Sequence, residues 1–128
     1  MKPLLIKETC LYHRDLELAE NFYSQTLGFD LYGKVAGRHV FYRLKDGQML
    51  LLFNPEATAL DQRLPYHYAS GRQHIAFEVE DYESWKKRLS GLGIVILAEQ
   101  IWTTGKKSFY FHDPAGHVLE IAEQGIWP

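Results

Sequence analysis

Phe109-Tyr110-Phe111-His112-Asp113-Pro114-Ala115-Gly116-His117-Val118-Leu119-Glu120-Ile121-Ala122 reads as strand, tight turn, strand. Phe109 to Phe111 are aromatic strand formers. In Asp113-Pro114-Ala115-Gly116, proline presets one φ and glycine accepts the positive φ that turns often need. Val118 to Ala122 is apolar again except for one acid, Glu120. A carboxylate inside an apolar strand is costly to bury without a partner. Either it faces water or something cationic meets it.

Working outward, Gln73 to Glu80 reads as a strand with His74, Ala76 and Glu78 on one face and Ile75, Phe77 and Val79 on the other. Asp81 is a helix N-cap, followed by an apolar stripe of Tyr82, Trp85, Leu89 and Leu92 and an i,i+4 pair, Glu83 and Lys87. Ile94 to Ile101 and Lys107 to Phe111 complete this part as strands.

The first half follows the same plan. Leu4 to Tyr12 reads as a strand with Glu8, Cys10 and Tyr12 on one face. Asp15 caps a helix whose stripe is Leu16, Ala19, Phe22, Tyr23 and Leu27, stopped by Gly28. Phe29 to Val35, His39 to Leu44 and Gln48 to Phe53 read as strands, with Lys45-Asp46-Gly47 as a hairpin turn. Asn54 to Gly71 shows no sustained period and reads as a connector, with a turn of helix expected around Thr58 to Arg63.

The two halves therefore repeat. Glu8 to Asp15 and His74 to Asp81 are both seven positions, and Leu27-Gly28-Phe29 answers Leu92-Gly93-Ile94. Phe41-Tyr42 answers Phe109-Tyr110, and Gly47 matches Gly116. Leu51 and Glu120 each follow their turn glycine by four residues, so they are counterparts, as are Glu8 and His74. If a pseudo-twofold axis brings the equivalent strands together, Glu8, His74 and Glu120 meet in one cavity.

These stretches resemble the vicinal oxygen chelate superfamily, which includes glyoxalase I, bleomycin resistance proteins, fosfomycin resistance thiol transferases and extradiol dioxygenases. The resemblance rests on Asp15 through Leu27-Gly28-Phe29, on His74 to Val79, and on Phe109 to Gly116 through Leu119-Glu120. It implies an α+β fold in which two βαβββ modules form a cupped mixed sheet with helices on the outside. Residues 1–128 then form one such domain, with module 1 about 4–53, a linker at 54–72 and module 2 about 73–123. It also implies a divalent metal held by first-strand and last-strand residues, here Glu8, His74 and Glu120. Leu51 and Leu50, at the remaining last-strand position, cannot bind metal, which departs from the four-ligand glyoxalase I pattern. Glu8 also departs from the two-His, one-carboxylate triad of the dioxygenases and fosfomycin enzymes.

Three ligands leave coordination positions open for water and substrate. Two oxygen donors favour Mn, Fe or Mg, with Zn and Ni compatible. Such a metal can hold a bidentate oxygen substrate and stabilise an enediolate or alkoxide, the chemistry the family shares. Glu8 and Glu120 are the candidate catalytic carboxylates, placed to exchange protons. Cys10, Tyr12, Glu78 and Tyr110 are candidates for the substrate-binding wall. The plainer readings stand beside these: Glu8 facing solvent, His74 as a satisfied structural residue, Tyr110 as core, and Cys10 without an identifiable base beside it. His13, His39, His67, His112 and His117 read as ordinary surface or turn residues, with His39 and His112 placed where they could line the cup. Arg38, Arg72, Lys106 and Lys107 read as solvated, although one of them could hold an anionic substrate group.

The best-matched function is a metal-dependent lyase, isomerase or transferase acting on a small oxygenated substrate. The alternatives are a metal-free binding or resistance protein and an Fe(II) extradiol-type dioxygenase. A net charge of −2 gives no footprint for nucleic acid or an acidic membrane surface. No apolar run approaches the ~20 residues of a membrane span, and Met1 to Lys7 is too short before a charge to read as a signal peptide. The single cysteine fits a reducing, cytoplasmic setting. Open sheet edges and the family's habit suggest a homodimer, in which Glu8 of one chain could meet His74 and Glu120 of another.

Overall fold

The computed structural model describes all residues, Met1–Pro128. The chain separates into two compact units, Met1–Gly71 and Arg72–Pro128. Each contains one four-stranded mixed sheet.

In the first unit the strands are β1 (Glu8–Tyr12), β2 (Asp30–Val35), β3 (His39–Arg43) and β4 (Met49–Phe53), in the order β1-β4-β3-β2. The outer pair β1 and β4 is parallel and the remaining pairs are antiparallel. Asp15 caps α1 (Leu16–Asn21) by accepting from Leu18 N at 3.0 Å, and a π-helical turn continues it over Phe22–Thr26. The expected stripe is buried throughout: Leu16, Ala19, Phe22, Tyr23 and Leu27 are all less than a tenth exposed. It covers the sheet face bearing Leu11, Val40, Tyr42, Leu50 and Leu52.

The second unit repeats this plan with β5 (His74–Val79), β6 (Ala98–Ile101), β7 (Lys107–His112) and β8 (Val118–Glu123), in the order β5-β8-β7-β6. Again β5 and β8 run parallel and the others antiparallel. Asp81 caps α3 (Tyr82–Gly91), accepting from Ser84 N at 3.0 Å. Tyr82 and Leu89 are buried with Phe109, Phe111, Leu119 and Ile121, and α3 lies against β8.

The ladders test the repeat residue by residue. Cys10 pairs with Leu51 and Ala76 with Glu120, so Leu51 and Glu120 are counterparts, and so are Glu8 and His74. The aromatic alignment is one residue off. Phe41 pairs with Leu51 and Tyr110 with Glu120, so Phe41 answers Tyr110 rather than Phe109. A slip of one residue turns every side chain to the opposite face. Burial agrees: Tyr42, Phe109 and Phe111 are fully buried on the helix side, while Phe41 and Tyr110 are half-buried on the other.

Several boundaries differ from expectation. Strand β1 starts at Glu8, because its ladder partner β4 starts at Met49, and Leu4, Leu5 and Ile6 are exposed. Strand β6 is shorter than Ile94 to Ile101 for the same reason, pairing with β7 only from Ala98. The connector helix, α2, is Pro55–Thr58 instead of a turn at Thr58 to Arg63. Asn54 caps it and Pro55 opens it, a start signal legible in the sequence. Leu92 lies beyond the last turn of α3 and is exposed. Glu83 meets Lys107 Nζ at 3.7 Å instead of Lys87.

Candidate metal centre

In the second unit the face away from α3 carries His74, Ala76 and Glu78 on β5, Val118, Glu120 and Ala122 on β8, and Ser108, Tyr110 and His112 on β7. His74 and Glu120 are offset by one step of the pleat on adjacent strands, which aims both side chains to the same side. His74 Nε2 lies 2.8 Å from Glu120 Oε2. Glu120 is 3% exposed, whereas the His74 side chain is about half open to solvent, at 52%. The second carboxylate oxygen, Glu120 Oε1, is buried with no hydrogen-bond partner. Leaving such an oxygen unmet costs on the order of 1–3 kcal/mol. Tyr110 pairs with Glu120 across the ladder, and its ring centroid is 6.1 Å from that of His74.

This donor set fits a divalent cation. A buried carboxylate with an unmet oxygen beside an accessible imidazole nitrogen offers ligands at one spot, and burial makes the unmet charge expensive until a cation arrives. His74 and Glu120 are the residues of this unit that could hold it.

The counterpart face of the first unit has different chemistry. Leu51 replaces the acid, and around it lie Glu8, Cys10, Tyr12, His39, Phe41 and Phe53. His39 stacks on Phe41 at 4.0 Å between centroids, and His67 stacks on Phe53 at 3.9 Å. Glu8 is exposed at the start of β1. Cys10 is half-buried, and its Sγ is 4.0 Å from His67 Nδ1, so a base does stand beside it. The connector supplied that base, and no periodic signal placed it there. Burial, and then the charge of Glu8, push the Cys10 thiol up, so the sulfur is held protonated. Tyr12 is half-buried and stacks on Phe53 at 6.5 Å. Burial, and then Cys10, raise its phenol.

The structure thus brings His74, Glu120 and Tyr110 together, and places Glu78 exposed on the same face of β5. Glu8, Cys10 and Tyr12 share a face of β1 in the other unit.

Two histidines expected at the surface are buried: His13 is 2% and His117 is 7% exposed. His117 belongs to the β7–β8 turn. Its Nδ1 is 2.8 Å from Asp113 Oδ2, while Asp113 Oδ1 accepts from the backbone N–H groups of Ala115 and His117, each at 3.0 Å. The i,i+4 spacing of Asp113 and His117 across a Pro-Ala-Gly turn was the available signal. The pair fixes where β8 begins, two residues before Glu120.

A family model described as Glyoxalase/Bleomycin resistance protein/Dioxygenase superfamily matches residues 5–121. The chain belongs to this superfamily. It is 31% identical over 124 residues to the metallothiol transferase FosB of Staphylococcus epidermidis, covering 94% of this chain and 82% of the relative. It is 33% identical over 110 residues to the FosB of Bacillus licheniformis, covering 84% and 67%. A solved structure titled lactoylglutathione lyase from Agrobacterium tumefaciens superposes with a TM-score of 0.92 at 36% identity, covering 98% of each chain. Two four-stranded mixed sheets with few helices match the α+β fold of the superfamily. No helix is long and apolar enough to cross a membrane.

Proposed function

We propose that this superfamily member is a metal-dependent enzyme of the glyoxalase type, a lyase, isomerase or transferase acting on a small oxygenated substrate. The observation that carries the reading is the buried, half-satisfied carboxylate of Glu120 beside His74. With Glu8 as third donor, these residues would hold a divalent cation such as Mn, Fe, Zn, Ni or Mg. Bound there, the metal supplies a Lewis acid for the substrate oxygens. The two carboxylates balance its charge, and one of them moves a proton to or from the substrate. Tyr110 and Glu78 are the proposed substrate-binding residues of the second unit, and Cys10 and Tyr12 those of the first. The likeness to a metallothiol transferase and to a lactoylglutathione lyase supports a transferase or lyase over a ring-cleaving dioxygenase. We further place the protein as a cytoplasmic homodimer, consistent with its one unbridged cysteine.

The test is elemental analysis of protein purified from metal-supplemented growth, beside Glu8→Ala, His74→Ala and Glu120→Ala. Stoichiometric metal in the parent and its loss in all three variants supports the site. A parent protein that takes up no metal at any concentration overturns the reading and leaves a metal-free binding protein. Mixing the Glu8→Ala and Glu120→Ala chains restores metal in some sites if Glu8 reaches the site of a second copy. It restores none if Glu8 and Glu120 serve the same chain.

A further inference from the structure

A cavity of about 330 Å³ opens in the first unit, lined by Arg38, Asp61, Arg63, Leu64, Pro65 and His67. It lies outside the set of residues proposed to hold metal. The lining holds two guanidinium groups, one imidazole and a single carboxylate, Asp61. Asp61 accepts from Arg63 through its backbone N at 3.1 Å, Nε at 3.2 Å and Nη2 at 3.0 Å. Arg38 Nη2 stands off at 3.8 Å from the same carboxylate, an ion pair beyond hydrogen-bond reach.

Arg38 is fixed by other contacts. Its Nη1 is 2.7 Å from His39 Nδ1, and its guanidinium carbon lies 5.6 Å from the centroid of the Phe53 ring. The Phe53 ring in turn stacks with His67 on the cavity wall. The guanidinium is therefore oriented by two rings, and its anionic neighbour, Asp61, is more closely engaged by Arg63. Burial first, and then the charges of Arg38 and His67, lower the pKa of His39. A preorganised arginine with unused donors on a cavity wall is suited to a planar or tetrahedral oxyanion. Leu64 and Pro65 give the cavity an apolar side for a short carbon body.

We propose that this cavity is an anion-binding site, in which Arg38 and Arg63 grip a carboxylate or phosphate group of a small ligand and Asp61 is the internal competitor the ligand displaces. Asp61 sets the selectivity. It holds the largely exposed Arg63 side chain at the cavity when no ligand is present, and it repels anions that cannot engage both guanidinium groups.

The test is titration of the full chain with inorganic phosphate and, separately, with acetate, following the ring C–H signals of His39 and His67 by NMR. Sodium chloride at matched ionic strength is the control. The expected result is a saturable shift of both histidines at millimolar anion. Arg38→Gln and Arg63→Gln weaken it by about fivefold or more, as loss of a charge-assisted contact should. Asp61→Asn tightens it by about threefold or more, because the competing charge is gone. Saturation by phosphate alone assigns a phosphate ligand, and by acetate a carboxylate. Shifts that match those in chloride overturn the proposal, as does an Asp61→Asn variant that binds no more tightly than the parent. Circular dichroism of that variant shows whether it is folded, and a folded variant with unchanged affinity is decisive.

Discussion

Glu120 Oε2 lies 2.8 Å from His74 Nε2, while Glu120 Oε1 on the same carboxylate is buried and meets no donor. If this is the proposed metal site, a carboxylate so placed costs the metal-free fold stability that a bound cation would restore. Glu120→Leu, which fills the strand position as Leu51 fills its counterpart, is expected to leave the metal-free unfolding free energy unchanged or raised by about 1 kcal/mol. The same variant loses the stabilisation that metal gives the parent, about 2.7 kcal/mol at a hundredfold excess over the dissociation constant. Urea unfolding with and without Mn or Zn measures both. A metal-free Glu120→Leu protein several kcal/mol less stable than the parent would show that the carboxylate is a structural element.

Asp113 holds the β7–β8 turn through three acceptor contacts, to Ala115 N, His117 N and His117 Nδ1. Asp113→Ala removes all three at a buried site and is expected to cost about 2–4 kcal/mol. Asp113→Asn keeps the Oδ1 contacts and costs less. Denaturant midpoints order the three proteins. An alanine variant within 0.5 kcal/mol of the parent, roughly the scale of a neutral surface change, would contradict the turn's role.

The repeat was legible because its signals are local. Asp15 and Asp81 cap helices, Gly28 and Gly93 end them with positive φ, and Gly47 and Gly116 close turns with positive φ. Counting from those glycines put Glu120 opposite an apolar counterpart, and the ladders agree. Matching aromatic letters put Phe41 against Phe109, because residue type carries no information about which face a strand position takes. Strand ends were overextended at Leu4 and Ile94, since a strand stops where its partner stops and the partner is distant in sequence. The pairing of His74 with Glu120 was an inference from the repeat. The positions of His67 beside Cys10 and of Arg38 beside Asp61 depend on an aperiodic connector, and no pattern in the chain encodes them.

Leu89 and Leu92 were expected on one stripe of α3, and the structure separates them: Leu89 is fully buried, and Leu92 is 55% exposed. Leu89→Ala is expected to cost about 2–5 kcal/mol through lost burial and the cavity left behind. Leu92→Ala is expected to stay within about 0.5 kcal/mol. Equal losses in the two variants, measured by urea unfolding, would place Leu92 in the core and the helix end further along.

Tyr82 joins the second unit's core to its edge strand. Its ring is buried against Phe109 with centroids 5.4 Å apart, and its hydroxyl donates to Glu99 Oε2 at 2.8 Å, where Lys86 also meets the carboxylate. Burial first, then the hydrogen bond and charge of Glu99, raise the phenol above the ordinary 10.0. The folded state therefore keeps this proton where the unfolded chain releases it. Its contribution is fully present below pH 10.0 and is lost as the pH rises towards the folded-state value. Tyr82→Phe should cost about 1.5–3 kcal/mol at neutral pH, from one hydrogen bond with a charged acceptor. It should also flatten the fall in stability above pH 10.0 relative to the parent. Denaturant unfolding at neutral pH and at a series of alkaline values separates the two effects. A Phe variant whose alkaline slope matches the parent's would mean that Tyr82 ionises as freely in the folded chain as in the unfolded one.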